Sequence, residues 1–177
     1  MKNKIHKCKF HTPLGDMLAA ANDEGLCLLE FTDRPALPKE LGDLKRLLNA
    51  EIVSEEHILI DEAQKQLDEY FQGKRKEFSI KLKTPGTEFQ KKVWSVLQEI
   101  PFGKTRTYKE QALILGNLKS IRAVGKANGE NRIAIIIPCH RVIGANGDLV
   151  GYGGGLWRKH YLLEFESKVN NQFSLFE

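Results

Sequence analysis

The densest apolar run in the chain, Ile133-Ala134-Ile135-Ile136-Ile137, stops at Pro138. A run this rich in β-branched residues has to be buried, and its length predicts a buried strand. Proline has no N–H to give a neighbouring strand and ends the ladder. Cys139-His140-Arg141-Val142-Ile143-Gly144 follow at once. A cysteine just past a buried strand, beside a histidine, can serve as a thiolate at the floor of a pocket, the form that attacks carbon electrophiles. By itself a cysteine in such a place is more often a small buried hydrophobe. Neighbours in an extended chain also point to opposite faces, so contact between Cys139 and His140 requires a turn.

The chain has 177 residues, room for one ordinary domain or two small ones. At 41% hydrophobic and 28% charged it has the composition of a soluble globular protein. No apolar stretch reaches the length of a membrane span, and Met1-Lys2-Asn3-Lys4 leads into no signal-peptide core. Of three cysteines at least one must stay unpaired within the chain, which fits a reducing cytoplasm where a thiol remains usable. The net charge of +4 is uneven: residues 1–83 hold 14 basic and 15 acidic side chains, residues 84–177 hold 13 and 8. Lys104, Arg106, Lys109, Lys119, Arg122, Lys126 and Arg132 cluster in one stretch of the second part, a footprint suited to phosphate contacts.

Residues 1–83 open with short strand candidates, Lys7–Phe10, Leu18–Ala21 and Leu26–Phe31, separated by Pro13-Leu14-Gly15-Asp16 and Asn22-Asp23-Glu24-Gly25. Turn chemistry between alternating runs predicts a hairpin or meander. Leu41, Leu44, Leu47 and Leu48 mark a short amphipathic helix, and Ala63, Leu67, Tyr70 and Phe71 a second that ends at Gly73. Phe78, Ile80 and Leu82 alternate as a last strand. Cys8, Cys27, His6 and His11 do not have the spacing of four convergent zinc ligands, so no metal is expected.

Thr84-Pro85-Gly86 reads as a boundary. Thr87-Glu88-Phe89-Gln90 has the form of a capping box for a helix carrying Val93, Val96 and Leu97, which Pro101 stops. Thr107-Tyr108-Lys109-Glu110 opens another, through Ala112 to Gly116. After the turn Asn117-Leu118-Lys119, Ser120 is placed to cap a helix from Ile121 to about Asn128, with small residues Ala123, Gly125 and Ala127. Helix, short turn, basic small-faced helix is a helix-turn-helix pattern.

Ile137-Pro138-Cys139-His140-Arg141-Val142-Ile143-Gly144 resembles the active-site segment of O6-alkylguanine-DNA alkyltransferases (methylated-DNA–protein-cysteine methyltransferases). The resemblance extends through Phe89-Gln90, Val93-Trp94, Ile100-Pro101, Gly103, Thr105 and Tyr108, through Arg122-Ala123-Val124-Gly125, Ala127-Asn128-Gly129 and Asn131, and through Gly151-Tyr152, Gly154-Gly155, Arg158-Lys159, Leu162-Leu163 and Glu166. It is dense over residues 84–167 and loose before them, at Thr12-Pro13-Leu14-Gly15. The expected fold class is therefore α/β (α+β): a small N-terminal α/β domain with a short antiparallel-type sheet (1–83), a mainly helical domain with a helix-turn-helix (84–168), and a tail (169–177).

The resemblance implies direct-reversal DNA repair, an irreversible, stoichiometric transfer of an alkyl group from O6-alkylguanine in double-stranded DNA, with O4-alkylthymine as a further candidate substrate. No cofactor is implied. The damaged base is rotated out of the duplex, since its alkyl carbon cannot meet a buried thiol while stacked. Implied roles are Cys139 as nucleophile, His140 as the base that takes its proton through a water, Glu166 as the group that orients His140, and Asn131 as the brace of the turn. Tyr108 would disturb the DNA backbone and protonate the guanine leaving group; Arg122 would fill the vacated space. Ala123 and Gly125 would permit close approach to the minor groove, with Ser120 and Lys109 completing the DNA-binding set. Pro138, Val142, Tyr152, Gly153 and Gly154 would form the base pocket. Gly153 stands where relatives often carry Ser or Ala, and Arg132 where proline often follows the asparagine.

Gln172-Phe173-Ser174-Leu175-Phe176 resembles the short peptide by which bacterial repair proteins dock onto a sliding clamp, with Leu175 and Phe176 as anchors. A monomer is expected. The competing reading of another class is a non-catalytic, lesion-sensing or regulatory DNA-binding module whose cysteine is idle. A cysteine hydrolase would leave the basic helix pair unexplained.

Overall fold

The computed structural model describes residues 3–174. The chain divides into two compact units, Met1–Gly86 and Thr87–Glu177. No helix among the described residues is long and apolar enough to cross a membrane.

In the first unit β1 (Asn3–Thr12) and β2 (Gly15–Asn22) form an antiparallel hairpin, and β3 (Gly25–Phe31) pairs antiparallel with β2. The first turn is fixed by Thr12, whose hydroxyl donates to the Gly15 carbonyl at 2.7 Å and accepts from Leu14 N at 3.2 Å. α1 (Leu37–Leu47) is followed by β4 (Ala50–Val53), then α2 (Ile58–Phe71). β4 lies parallel to β1, so the sheet order is β3-β2-β1-β4 and the sheet is mixed rather than wholly antiparallel. Every residue of β3 is buried, as expected of a strand covered on both faces. Ile5, Ala20, Leu28, Leu37 and Leu44 form one cluster between sheet and α1, while α2 packs on β1, β2 and β3. Each large aliphatic side chain fully buried in this way contributes about 1.5–3 kcal/mol.

The expected last strand at residues 78–82 is reduced to a single bridge between Leu82 and Leu26, flanked by Leu26 N to Lys81 O at 2.9 Å and Lys83 N to Leu26 O at 2.8 Å. Gly25 permits this approach: a Cβ there would lie 2.7 Å from the Leu82 carbonyl carbon. Glu30, Arg34 and Glu40 make a buried ion cluster, with Arg34 2.5 Å from Glu30 and 3.2 Å from Glu40. The Cys27 thiol donates to Ala20 O and the Cys8 thiol to Glu55 O, both at 3.3 Å. Among the described residues no group of three or more His, Cys, Asp or Glu side chains could hold a metal.

The second unit contains α3 (Glu88–Gln98), β5 (Arg106–Thr107), α4 (Tyr108–Ile114), a 3-10 turn at Leu118–Ser120, α5 (Ile121–Gly129), a 3-10 turn at Cys139–Arg141, β6 (Val142–Ile143) and α6 (Leu156–Ser174). Both capping boxes are present, Thr87 with Gln90 and Thr107 with Glu110. Ser120 caps nothing: its hydroxyl donates back to Asn117 O at 2.6 Å, and Asn117 caps the 3-10 turn through Lys119 N at 3.0 Å. The Asn117 side chain thus opens a 3-10 turn ahead of α5, and the Ser120 hydroxyl is engaged with the carbonyl behind it. β5 runs parallel to β6, Arg106 opposite Val142 and Thr107 opposite Ile143, and so ties the start of α4 to the turn that carries Cys139. α6 continues to Ser174, into the stretch from residue 169 that was expected to be a tail. Val169 is buried and the Asn170 amide donates to Phe102 O at 3.0 Å, so packing extends the helix.

Candidate active site

The run Ile133–Ile137 is buried as its composition demands, yet it is a tight turn and not a strand. Ile136 N bonds Ala134 O at 2.8 Å around Ile135, whose φ of 71° is left-handed, and Cys139 N bonds Ile137 O at 2.8 Å around Pro138. A β-branched residue in that region costs about 1–3 kcal/mol, so its surroundings must hold it there. Asn131, 2% exposed, supplies the hold. Its amide donates to Ile137 O at 2.9 Å and to Cys139 Sγ at 3.3 Å, and its oxygen accepts from Ile133 N at 2.9 Å. One side chain thus satisfies backbone groups that a neighbouring strand would otherwise have paired. Arg132 does not disturb this, since its guanidinium carbon lies 5.8 Å over the Trp94 ring.

The 3-10 turn at Cys139–Arg141 turns His140 and Arg141 inward, both buried. His140 Nε2 lies 2.7 Å from Glu166 Oε1. Arg141 binds the same carboxylate through Nε at 2.9 Å to Oε2 and Nη2 at 2.9 Å to Oε1, and donates from Nη1 to Ile100 O at 2.6 Å. Gly103 N donates to Glu166 Oε2 at 3.0 Å. Burial alone would raise the Glu166 pKa, but His140 and Arg141 outweigh it and hold the carboxyl well below the usual carboxylate range. Burial lowers the His140 pKa; Glu166 opposes this, and the Arg141 and Lys159 charges add to it. The imidazole is therefore neutral at pH 7. Its Nε2–H donates to Glu166, and its buried Nδ1 makes no hydrogen bond.

Tyr108 opens α4 with its hydroxyl donating to Val150 O at 2.9 Å. Burial, then the Cys139 charge, raises its pKa, so the phenol is a neutral donor at pH 7. Gly125 of α5 faces this ring: a Cβ would sit 3.8 Å from it, ordinary contact distance. α4 and α5 are locked by a reciprocal amide pair, Gln111 to Asn128 at 3.0 and 2.8 Å, and α3 holds α5 through Trp94 Nε1 to Ala127 O at 2.9 Å. Locked this way, α5 leaves Arg122, Ala123 and Lys126 exposed; Lys109 on α4 is exposed too.

Pro138 and Val142 are buried beside Cys139, the Pro138 carbonyl accepting from Arg141 N at 3.0 Å. Tyr152, Gly153 and Gly154 lie in the loop before α6, where Arg158 Nη1 donates to Gly154 O at 2.9 Å. Glu164, exposed, pairs with Lys168 at 2.9 Å, while Glu166 is fully buried. Arg141 and Lys159 carry no assigned role in the sequence reading. The signal for Lys159 was present: Lys159, Leu162, Glu166 and Val169 are spaced along one helical stripe, and all four are buried. Gly103 as the donor to Glu166 had no such signal.

Comparison with known proteins shows the family and the fold. Residues 88–168 match the family described as 6-O-methylguanine DNA methyltransferase, DNA binding domain, and residues 5–84 its ribonuclease-like domain. A methylated-DNA–protein-cysteine methyltransferase of Methanosarcina acetivorans is 47% identical over 89% of this chain and 95% of its own length. One of Mycobacterium leprae is 44% identical over 98% and 99%. The crystal structure of the Mycobacterium tuberculosis O6-methylguanine methyltransferase superposes with a TM-score of 0.78 at 40% identity, covering 93% of each chain. The same organism's protein in complex with DNA gives 0.78 at 38% identity over 94% of each. Fold and site define a DNA-repair transferase that accepts an alkyl group on a cysteine of its own. The chain belongs to the 6-O-methylguanine DNA methyltransferase family.

Proposed function

We propose that the chain repairs double-stranded DNA by moving the alkyl group of a flipped-out O6-alkylguanine irreversibly onto Cys139. The observation that carries this reading is the free, unpartnered Nδ1 of a buried neutral His140 whose Nε2 is fixed by Glu166. Sγ attacks the alkyl carbon; the S–C bond forms as the C–O6 bond breaks. The thiol proton passes to His140 Nδ1 through a water, and the departing guanine anion takes a proton from the Tyr108 hydroxyl. The Asn131 amide at 3.3 Å supports negative charge on sulfur. Arg122 takes the place of the extruded base, Ala123, Gly125, Ser120 and Lys109 meet the DNA, and Pro138, Val142, Tyr152, Gly153 and Gly154 hold the base. A thioether has no route back to thiol here, so each molecule acts once, as a monomer in the cytoplasm.

Cys139→Ala tests this: it should bind an O6-methylguanine duplex yet restore no guanine. Repair retained in that variant, or repair absent from the wild type, contradicts the reading. O4-alkylthymine is a second substrate to be tried in the same assay. Gln172 is exposed at the end of α6, and the clamp peptide's anchors Leu175 and Phe176 lie outside the described residues. Docking to a sliding clamp through them is tested by Leu175→Ala with Phe176→Ala, which should abolish clamp binding and leave repair of naked DNA unchanged.

A further inference from the structure

Lys159 is fully buried on α6, and its ammonium donates to two carbonyls of one loop, Val150 O at 2.9 Å and Gly151 O at 3.3 Å. A buried ammonium is expensive unless its donors are satisfied, and a Met or Leu would fill the same space without that cost. Its Nζ also stands 5.8 Å from the centre of the Tyr108 ring. The Val150 carbonyl therefore receives two donors from two helices, the Tyr108 hydroxyl from α4 and the Lys159 ammonium from α6. Val150 itself is 46% exposed, so these bonds rather than packing hold the loop tip.

A phenol has one proton to donate. While Tyr108 gives it to Val150 O, the same proton cannot reach a departing guanine. For Tyr108 to act on substrate it must release the loop, and the bonds from Lys159 to Val150 and Gly151 then remain. Gly151, at φ +61 with its absent Cβ 3.6 Å from the Tyr108 hydroxyl, leaves room for that hydroxyl to turn.

We propose that Lys159 is a positioning residue: it holds the Val150–Gly151 loop over the base while the Tyr108 hydroxyl changes acceptor from the Val150 carbonyl to the substrate. This rests on the alkyl-transfer reading above. The groups facing Lys159 are Tyr108 from α4 and Cys139 and His140 from the 3-10 turn. Burial lowers the Lys159 pKa to about 8, which the Cys139 charge opposes. His140 is already neutral and Tyr108 still protonated in that range, so loss of the ammonium is the change expected there.

Single-turnover methyl transfer from an O6-methylguanine duplex, followed against DNA concentration and pH, tests the proposal. Lys159→Met should lower the limiting rate roughly 10- to 100-fold, the loss expected when charge-assisted bonds are removed. The half-saturating DNA concentration should stay within about threefold, because a fully buried side chain neutralises no phosphate. Amides of residues 150–155 should exchange at least about tenfold faster, with those of α3 unchanged. The wild-type rate should show a descending limb near pH 8 that Lys159→Met lacks. Lys159→Arg, charged at every accessible pH, should retain transfer and also lose that limb. A folded Lys159→Met with wild-type rate or wild-type loop exchange overturns the proposal. Should Lys159→Met not fold, a descending limb kept in Lys159→Arg overturns it, and its loss supports it. A wild-type protein that gains no methyl on Cys139 fails the alkyl-transfer reading instead, before any variant is compared.

Discussion

Replacing Glu166 by Gln removes one charge from a fully buried carboxylate that accepts four N–H donors. Oε1 takes His140 Nε2 and Arg141 Nη2, and Oε2 takes Arg141 Nε and Gly103 N. A glutamine presents one acceptor oxygen and one NH2, so two of those donors must face another donor. Whichever way the amide turns, Arg141, 5% exposed, loses one of its two bonds to residue 166 together with the opposite charge, and removing one partner of a buried pair costs about 3–5 kcal/mol. The fluorescence readout is convenient because both tryptophans, Trp94 and Trp157, lie in the second unit. Urea unfolding followed by tryptophan emission should show the full 3–5 kcal/mol, without change in the transition of the first unit followed by hydrogen exchange. Because Glu166 also fixes which His140 nitrogen is free, the transfer rate at a urea-free pH of about 7 should fall more than ~100-fold. A loss below about 1 kcal/mol together with an unchanged rate would falsify the assigned network.

The same network sets the acid limb of stability. Glu166 is held below its unfolded value, so its contribution is present above the unfolded carboxylate pKa of about 4.3 and is lost as pH falls below it. His140 is kept neutral, so the unfolded chain gains a proton below about 6.5 that the fold resists, and unfolding by acid should begin earlier in wild type than in a folded His140→Gln. Gly103→Ala should cost about 1–3 kcal/mol by thermal melting, since φ is +72° and the added carbon would meet the Asn170 side chain. Asn131→Ala should cost a further-reaching 2–4 kcal/mol or so, and slow transfer, by releasing the Ile135 turn and the bond to Cys139. In the first unit, burial raises the Glu30 pKa to about 7 against the pull of Arg34. Arg34→Leu should therefore destabilise by about 3–5 kcal/mol, and more at pH 8 than at pH 5, because a raised folded pKa loses stability as pH climbs through it.

Where helices begin was legible from Thr87–Gln90 and Thr107–Glu110, because a capping box is a local hydrogen-bond pattern that needs no tertiary partner. The run Ile133–Ile137 was legible as buried but not as a turn. Composition reports burial, while the backbone path there is decided by Asn131, whose amide supplies bonds a strand would have supplied. Ser120 does not cap α5 for a similarly local reason, its hydroxyl turning back to donate to the Asn117 carbonyl. β4 and its parallel pairing with β1 depend on contacts far apart in sequence and left no period-2 signal in four residues. At the site, Cys139, His140 and Glu166 were readable as a constellation through family resemblance. Arg141 and the Gly103 amide emerge only once α6 is packed against the turn.

Alkyl transfer to Cys139 is tested most directly by the intact mass of the purified protein after incubation with an O6-methylguanine duplex, followed by peptide mapping. The expected result is a gain of one methyl group, located on Cys139 and saturating at one per protein molecule. No gain while the lesion is still bound, or a methyl group on any other residue, contradicts it.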